Sequence, residues 1–200
     1  MRKIICIGRQ YGSGGHKIAH LLADRLNIPY YDKKIFEDAI TKSGISAEIL
    51  KKAEERLPNP LLHSIYYNGN SNEYHGKSAN EILYMAQTSI ILEYAEKSDC
   101  IIVGRCADAI LTENTKHLVK SIFITAPMSY RIEATMKNDN ANEKNAAAII
   151  RKADKRRASY YNYYTGKDWG KASDYDFCIN SATNKWDDIV DYLAALYKAM

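Results

Sequence analysis

The sequence lacks any long hydrophobic run. No stretch of eighteen consecutive apolar residues occurs among its 200 residues, whereas a membrane-spanning helix needs about twenty. The charged residues Arg2 and Lys3 lead directly into a short strand and a glycine-rich turn, rather than into the apolar region of a signal peptide. We therefore expect neither a membrane span nor a signal peptide, and we expect a cytoplasmic location.

Cysteine is sparse and shows no metal or redox spacing. Cys6, Cys100, Cys106 and Cys178 form no C-x-x-C pair, and three of them lie in or beside apolar runs. This pattern favours buried thiols in a reducing compartment over disulfides. The formal net charge of +4 is mild, so the composition permits an anionic ligand without requiring a nucleic acid.

The chain also lacks internal repeats and extended low-complexity segments. With 46% hydrophobic residues it can bury one sizeable core, so we predict a single domain over residues 1–200. Apolar, β-branched runs predict strands at residues 4–7, 28–31, 101–103, 121–125 and 175–179. Helical periods lie between them, as at Ile18, Leu21, Leu22 and Leu26. The alternation predicts an α/β fold with a parallel sheet.

Two regions interrupt this alternation. Residues 33–80 contain Pro58, Pro60 and a polar stretch, which predicts an excursion from the core. Residues 151–172 combine a basic helix with four tyrosines and two glycines. We predict that this second region is a mobile lid.

A glycine-rich loop follows the first strand. Gly12, Gly14 and Gly15 lack the Cβ atom that would keep the backbone away from an anion, and the helix from His16 onward would point its amides and dipole at that anion. The Walker pattern G-x-x-x-x-G-K-[ST] places a lysine directly after the second glycine, whereas Gly15 follows Gly14 here and Lys17 comes two residues later. The loop therefore predicts a phosphate-binding backbone without the usual lysine.

Two polar residues follow strands at the carboxyl edge of the predicted sheet. Asp32 ends the second strand, where it either contacts a ligand or caps the helix that begins at Lys33. Arg105 follows Gly104 after a core strand, where an arginine is costly unless its head reaches solvent or an anion. An anion contact and a surface salt bridge are both open for Arg105.

Further arginines come from two later helices. Arg131 lies one turn into the helix after the fourth strand, and an exposed helical arginine is the alternative to a ligand contact. Arg151, Asp154 and Arg157 recur every three residues and so share one helical face. Guanidinium groups bind phosphate oxygens two at a time, so this face suits a transferring phosphoryl group. A salt-bridged surface is the alternative.

With these pieces in order, the chain resembles the cytidylate kinase-like branch of P-loop nucleoside monophosphate kinases. The resemblance extends over nearly the whole chain. Its most specific segments are YGSGG at 11–15, IPYYD at 28–32, VGRCAD at 103–108, IFITAP at 122–127 and YDFCINS at 175–181.

The resemblance implies a P-loop NTPase fold, with a five-stranded parallel sheet flanked by helices, a mobile lid and an acceptor-binding excursion. It implies a phosphate loop from Gly12 to Lys17, acceptor contacts at Asp32 and Arg105, and lid contacts at Arg151 and Arg157. The predicted site residues form three groups. They are Gly12, Ser13, Gly14, Gly15, His16 and Lys17 for the nucleotide; Asp32, Arg105, Asp108 and Arg131 for the substrate; and Lys17, Arg105, Arg151 and Arg157 for catalysis.

The activity implied is transfer of the γ-phosphoryl group of ATP to a small acceptor, with CMP as the leading example. Mg²⁺ would be held through phosphates, water and either Asp32 or Asp108, and Lys17 would compensate for the missing Walker lysine. A nucleotide-binding sensor with little catalysis is the alternative, favoured by that missing lysine. We expect a small-molecule nucleotide as partner and neither a membrane nor a nucleic acid, although the basic, tyrosine-rich residues 152–164 leave RNA binding open.

Two departures from ordinary cytidylate kinases leave further alternatives. His16 and His20 are spaced i, i+4 and could bind a metal, although the glutamate of H-E-x-x-H is missing. Cys106 stands where such kinases carry an aspartate. It is either a reactive thiol beside Arg105 or a packed small residue.

Overall fold

A five-stranded parallel sheet forms the centre of the computed structural model, which describes residues 1–44, 46–48 and 77–200. The strands are β1 (Lys3–Arg9), β2 (Tyr30–Tyr31), β3 (Cys100–Val103), β4 (Leu118–Thr125) and β5 (Phe177–Asn180). Their order in the sheet is β2-β3-β1-β4-β5, and every neighbouring pair is parallel. The predicted sheet is confirmed, and its order places the end of β1 between the ends of β3 and β4.

Helices connect these strands and cover the sheet. They are α1 (Gly15–Leu26), α2 (Lys33–Ser43), α3 (Ala79–Lys97), α4 (Ala107–Asn114), α5 (Met128–Asp139), α6 (Glu143–Thr165) and α7 (Trp186–Ala199). The start of α3 is set by a capping box, in which Ser78 and Glu81 bond to each other's backbone amides. None of the helices in the described ranges is long and apolar enough to cross a membrane.

Burial on both faces explains the continuous apolar runs of the central strands. Every residue of β3 and the segment Ile4, Ile5, Cys6 and Ile7 of β1 is buried, as expected for parallel strands covered by helices. The prediction for the buried face of α1 is wrong in one residue. Leu21 is 36% exposed, because the core-facing stripe runs through Ile18, Ala19 and Leu22 instead.

The two predicted interruptions differ in how they relate to the helices. The excursion at 33–80 starts with α2 and ends at the first residues of α3, and these two helices pack together through Phe36 and Ile82. Residues 45 and 49–76, including Pro58, lie outside the described residues. In the predicted lid, residues 151–165 continue helix α6, which begins at Glu143. The arginine-bearing face is therefore part of a 23-residue helix.

The four cysteines are all free. Cys6, Cys100 and Cys106 are buried, as expected from the apolar runs, whereas Cys178 is exposed. Burial raises the pKa of the Cys106 thiol. This cysteine therefore has the properties of a packed small residue rather than those of a reactive thiolate.

Candidate functional site

The glycine-rich loop connects β1 to α1 at the carboxyl edge of the sheet. Gly12 and Gly14 have φ values of +75° and +76°, in the left-handed region that favours glycine. No side chain caps the amides at the start of α1, and its first turn carries no acidic residue. The first amides of a helix have no partner within the helix, so this terminus is suited to bind an anion.

Three helices, α5, α6 and α7, contact the glycine-rich loop. A Cβ atom at Gly12 would lie 2.8 Å from the Arg131 carbonyl oxygen of α5, and one at Gly14 would lie 2.5 Å from the Trp186 ring of α7. From α6, the Asp154 carboxylate accepts a hydrogen bond from the Tyr11 amide at 2.8 Å. The loop conformation is therefore held by tertiary packing.

Arg131 belongs to this support rather than to a cavity wall. It is only 8% exposed, and its guanidinium forms an ion pair with Asp154 and donates a hydrogen bond to the Tyr11 carbonyl oxygen. The alternative interpretation from the sequence, that Arg131 is an exposed helical arginine, is therefore wrong. The arrangement makes Arg131 a residue that positions the loop through Asp154.

Two cavities open at the carboxyl edge of the sheet and share lining residues. The larger, about 1060 Å³, lies along the glycine-rich loop, and the smaller, about 160 Å³, lies beyond β1 against Asp108, Tyr160 and Tyr161. Four arginines line both cavities. They are Arg9, Arg105, Arg156 and Arg157. The positive charge of the site is thus concentrated where the two cavities meet.

Asp32 is a buried acidic residue in the wall of the larger cavity. It stands at the N-cap position of α2 but makes no capping hydrogen bond. Its carboxylate lies 3.2 Å from Nη2 of Arg9 and 2.9 Å from Nδ1 of His16, which the Tyr30 hydroxyl also contacts at 2.7 Å. Of the two sequence interpretations, the structure favours the side chain facing the cavity over the helix cap.

The charge of Asp32 makes a testable contribution to stability. Burial raises the pKa of this carboxyl, but Arg9 and His16 outweigh burial and lower it below its ordinary value. Ionised Asp32 therefore stabilises the fold above its unfolded pKa of about 3.9, and this stability is lost as pH falls through the lower folded value.

We expect the free energy of unfolding of Asp32→Asn to fall less steeply below about pH 4 than that of the wild type. The difference in slope is at most about 1.4 kcal/mol per pH unit, the value for one proton. Urea unfolding at several pH values measures it. Parallel slopes for the two proteins would contradict the ion pairs of Asp32.

A left-handed turn places Arg105 at the boundary of the cavities. Gly104, Arg105 and Cys106 have φ values of +74°, +60° and +57°, a conformation that is unfavourable by about 1–2 kcal/mol for each non-glycine residue. The Arg105 guanidinium lies 5.7 Å from the centre of the Phe36 ring. Backbone strain of this kind concentrates at functional sites, which supports the predicted role of Arg105.

The remaining predicted residues are distributed over both cavities and the surface. Lys17 lines the larger cavity with its ammonium 5.6 Å from the Trp186 ring centre. Arg157 donates a hydrogen bond to the Arg9 carbonyl oxygen at 2.9 Å, and burial, followed by the nearby Arg9, lowers the pKa of Arg157 to about 10. It therefore stays protonated at neutral pH. Arg151 is exposed and is not among the residues lining either cavity.

Asp108 lies in the smaller cavity. Its carboxylate accepts a 2.6 Å hydrogen bond from the Tyr161 hydroxyl, and burial raises the pKa of this carboxyl.

Ser13 is buried in the loop, where its hydroxyl donates to the Gln10 carbonyl oxygen. Ser13 therefore shapes the loop, and its carbonyl oxygen accepts a hydrogen bond from the Ser181 hydroxyl.

The described residues give no support to the metal alternative. They contain no group of three His, Cys, Asp or Glu side chains that could hold an ion. His16 is paired with Asp32, and His20 is paired with Asp24 at 3.0 Å. The two histidines therefore have separate partners.

The tyrosines of α6 are engaged within the protein. Tyr161 is buried, and Tyr164 stacks on Tyr84 with ring centres 4.0 Å apart. Tyr163 is the more exposed, at 44%. The aromatic faces that RNA binding would require are therefore largely covered.

The residues of the cavity walls that sequence reasoning missed include Arg9, Arg156 and Trp186. A signal was available for Arg9, because it follows Gly8 at the end of a core strand just as Arg105 follows Gly104. Arg156 lies one position before the predicted Arg157. Nothing local indicates Trp186, which reaches Gly14 from α7, 172 residues away in sequence.

Comparison with protein-family models identifies the relatives of this chain. The model described as the cytidylate kinase-like family matches residues 4–183. The chain belongs to the cytidylate kinase-like family. The resemblance inferred from the sequence is thereby confirmed, whereas a comparison with curated proteins finds no match.

Solved structures extend this family assignment to the fold. An uncharacterized protein from Eubacterium ventriosum ATCC 27560 is 28% identical, with both chains fully covered and a TM-score of 0.71. Shikimate kinase from Acinetobacter baumannii, solved with shikimate, is 15% identical, with 100% of this chain and 94% of that chain covered and a TM-score of 0.54. Shikimate kinase from Bacteroides thetaiotaomicron is 13% identical, with 98% of each chain covered and a TM-score of 0.54. The two shikimate kinases show the shared P-loop kinase fold.

Proposed function

We propose that this protein transfers the γ-phosphoryl group of ATP to a small acceptor in a Mg²⁺-dependent reaction. The observation that carries the proposal is the pair of cavities with four arginines at their boundary. The larger of the two cavities lies along the glycine-rich loop. Membership of a kinase-like family supports a nucleotide or small-molecule kinase. A nucleoside monophosphate such as CMP is the leading acceptor.

The larger cavity suits the donor nucleotide. Its wall includes the backbone of Gly12, Gly14 and Gly15, followed by His16 and Lys17. A Cβ atom at any of the three glycines would collide with neighbouring protein atoms, which belong to Arg131, Trp186 and Arg9. The backbone is thus held in a conformation in which amides, rather than side chains, meet the phosphates.

The smaller cavity and its entrance suit the acceptor. Arg105 lies at the boundary, Asp108 lies inside, and Asp32 lines the adjoining larger cavity, so the site offers both hydrogen-bond acceptors and a positive charge. An anionic, hydroxylated molecule would satisfy both kinds of group. Arg157, held against the backbone of β1, would then lie near the phosphoryl group as it passes between the cavities.

The residues present fit a Mg²⁺ ion that is held mainly by the nucleotide. Protein-bound Mg²⁺ in kinases usually uses one or two carboxylates together with phosphates and water, and Asp32 is the buried carboxylate among the three that line the larger cavity, with Glu37 and Asp139. The ion would neutralise phosphate charge, which complements the arginines. Phosphoryl transfer depends mostly on such positioning and charge stabilisation.

The test is a coupled assay of ATP turnover with Mg²⁺ and a panel of acceptors: CMP, dCMP, UMP and shikimate. We expect ADP formation above the acceptor-free rate with at least one of them, and phosphorylated product by mass spectrometry. Arg25→Ala, a change at an exposed ion pair with Asp191, should leave the rate unchanged. ATP binding without product from any acceptor would instead favour a nucleotide sensor.

A further inference from the structure

The glycine-rich loop exchanges two residues of the Walker pattern. With Gly14 as the second glycine of G-x-x-x-x-G-K-[ST], Gly15 occupies the lysine position and Arg9 occupies the position of the first glycine. The chain thus has a cation where the pattern requires a glycine, and a glycine where it requires the cation. A reciprocal change of this kind suggests that one side chain has replaced the other.

The packing around Gly15 supports this exchange. A Cβ atom added at Gly15 would lie 2.6 Å from Cβ and 3.2 Å from Cγ of Arg9. The aliphatic part of Arg9 therefore fills the space into which a side chain from residue 15 would begin to extend. A lysine at residue 15 and an arginine at residue 9 exclude each other sterically.

The Arg9 guanidinium continues toward the boundary of the two cavities. A Cβ atom at Gly104 would collide with its Nη1 atom, and its Nη2 atom lies 3.2 Å from the Asp32 carboxylate. The backbone of Arg9 is also restrained, because its carbonyl oxygen accepts the hydrogen bond from Arg157. Arg9 is therefore held at both ends, in a position common to the donor and acceptor cavities.

Arg9 retains capacity to bind an anion. Its side chain is 17% exposed and lines both cavities, and its buried Nε atom has no hydrogen-bond partner among the described residues. A guanidinium has five N–H donors and stays protonated in proteins. The ion pair with Asp32, which His16 shares, leaves donors of Arg9 for a ligand.

We propose that Arg9 performs the task of the missing Walker lysine and binds the β- and γ-phosphates of the donor nucleotide; this assignment rests on the proposed ATP site. The positive charge is then supplied by a residue at the end of β1 instead of by a residue in the first turn of α1. The two side chains would start from nearly the same place, because the Cβ position of residue 15 lies 2.6 Å from Cβ of Arg9. Lys17, packed against Trp186, then contributes to the loop without replacing that lysine.

Nucleotide binding by isothermal titration tests the assignment directly. Arg9→Gln retains much of the side-chain length but removes the charge, so we expect it to weaken ATP binding about 10–100-fold, the equivalent of one or two charge-assisted hydrogen bonds. Binding of AMP, which lacks the β- and γ-phosphates, should change less than about threefold by the same argument. Lys17→Gln is the matched comparison and should weaken ATP binding less than Arg9→Gln does. Equal losses for ATP and AMP, or a larger loss for Lys17→Gln, would overturn the assignment.

A reciprocal swap separates a phosphate contact from a structural role. Arg9→Gly removes both charge and stem, and the double variant with Gly15→Lys recreates the Walker order. We expect the double variant to bind ATP at least about tenfold more tightly than Arg9→Gly, because the lysine enters the space vacated by Arg9. Thermal melting identifies the variants that remain folded. If Arg9→Gly does not fold, the ATP and AMP titrations of Arg9→Gln decide the question in place of the comparison between Arg9→Gly and the double variant. A folded double variant no better than Arg9→Gly would refute the exchange.

The outcomes distinguish this assignment from the proposed function. ATP binding that depends on Arg9, without product from any acceptor, would overturn the kinase proposal and support the assignment. Product formation and ATP binding that are both unchanged in Arg9→Gln would overturn the assignment and leave the kinase proposal standing. A wild-type protein that binds no ATP would overturn both.

Discussion

Gly14→Ala is expected to weaken ATP binding by roughly a hundred-fold and to destabilise the fold by about 2–5 kcal/mol. The left-handed φ of +76° is unfavourable for alanine by about 1–2 kcal/mol. The new methyl group would also meet the Trp186 ring at 2.5 Å, and such overpacking adds about 1–3 kcal/mol. A displaced loop no longer aligns its amides with the phosphates, and the loss of one or two hydrogen bonds to a charged group, each worth about 1.5–3 kcal/mol, corresponds to the expected hundred-fold loss of affinity.

Gly166→Ala is the matched control for this experiment. Gly166 also has a left-handed φ, of +67°, but a Cβ atom there would meet nothing within 4 Å. We expect Gly166→Ala to lower the free energy of unfolding only by the backbone contribution of about 1–2 kcal/mol and to leave the ATP affinity unchanged. Titration calorimetry and urea unfolding of both variants measure the two effects. Similar ATP affinities for Gly14→Ala and the wild type would contradict the loop as the phosphate site.

Arg131→Ala is expected to destabilise the protein by about 3–5 kcal/mol, because it leaves Asp154 charged and without its cationic partner in a largely buried position. The two side chains are only 10% and 18% exposed. For a chain of this size, such a loss lowers the melting temperature by roughly 6–20 °C. The Asp154 carboxylate also holds the Tyr11 amide, so we further expect weaker ATP binding in the folded fraction.

The exposed pair of Arg25 and Asp191 provides the control. These side chains are 48% and 61% exposed, and exposed ion pairs contribute at most about 1 kcal/mol. Arg25→Ala should therefore shift the melting temperature by less than about 4 °C. Calorimetric melting of both variants makes the comparison. Equal shifts would show that Arg131 does not brace the loop.

Prediction from sequence was most successful where the signal is local. The strand ending in Val103 and the one containing Ile124 are continuous apolar runs, and both lie in the sheet. The glycines of the loop were recognisable because their conformational freedom belongs to the residues themselves. Bounds were less accurate, as for β4, which begins at Leu118 rather than Ser121.

Prediction was weakest for the partners of charged residues. Arg131, Arg151 and Arg157 are equivalent in type, yet one braces the loop, one is exposed and one lines both cavities. A helical period shows which residues share a face, but it does not show what that face meets. The position of Arg9 after a core strand was a local signal, but its pairing with Asp32 at another strand end was not visible in the sequence.

The sequence alone determined the alternation of strands and helices, the parallel sheet and the glycine-rich loop after β1. These follow from apolar periodicity and from glycine, which act over a few residues. Only the tertiary structure decided which cations face the cavities and placed the Arg9 side chain in the space beside Gly15. Those outcomes depend on excluded volume and on charge pairing between strand ends and helices that are distant along the chain, and no local pattern encodes them.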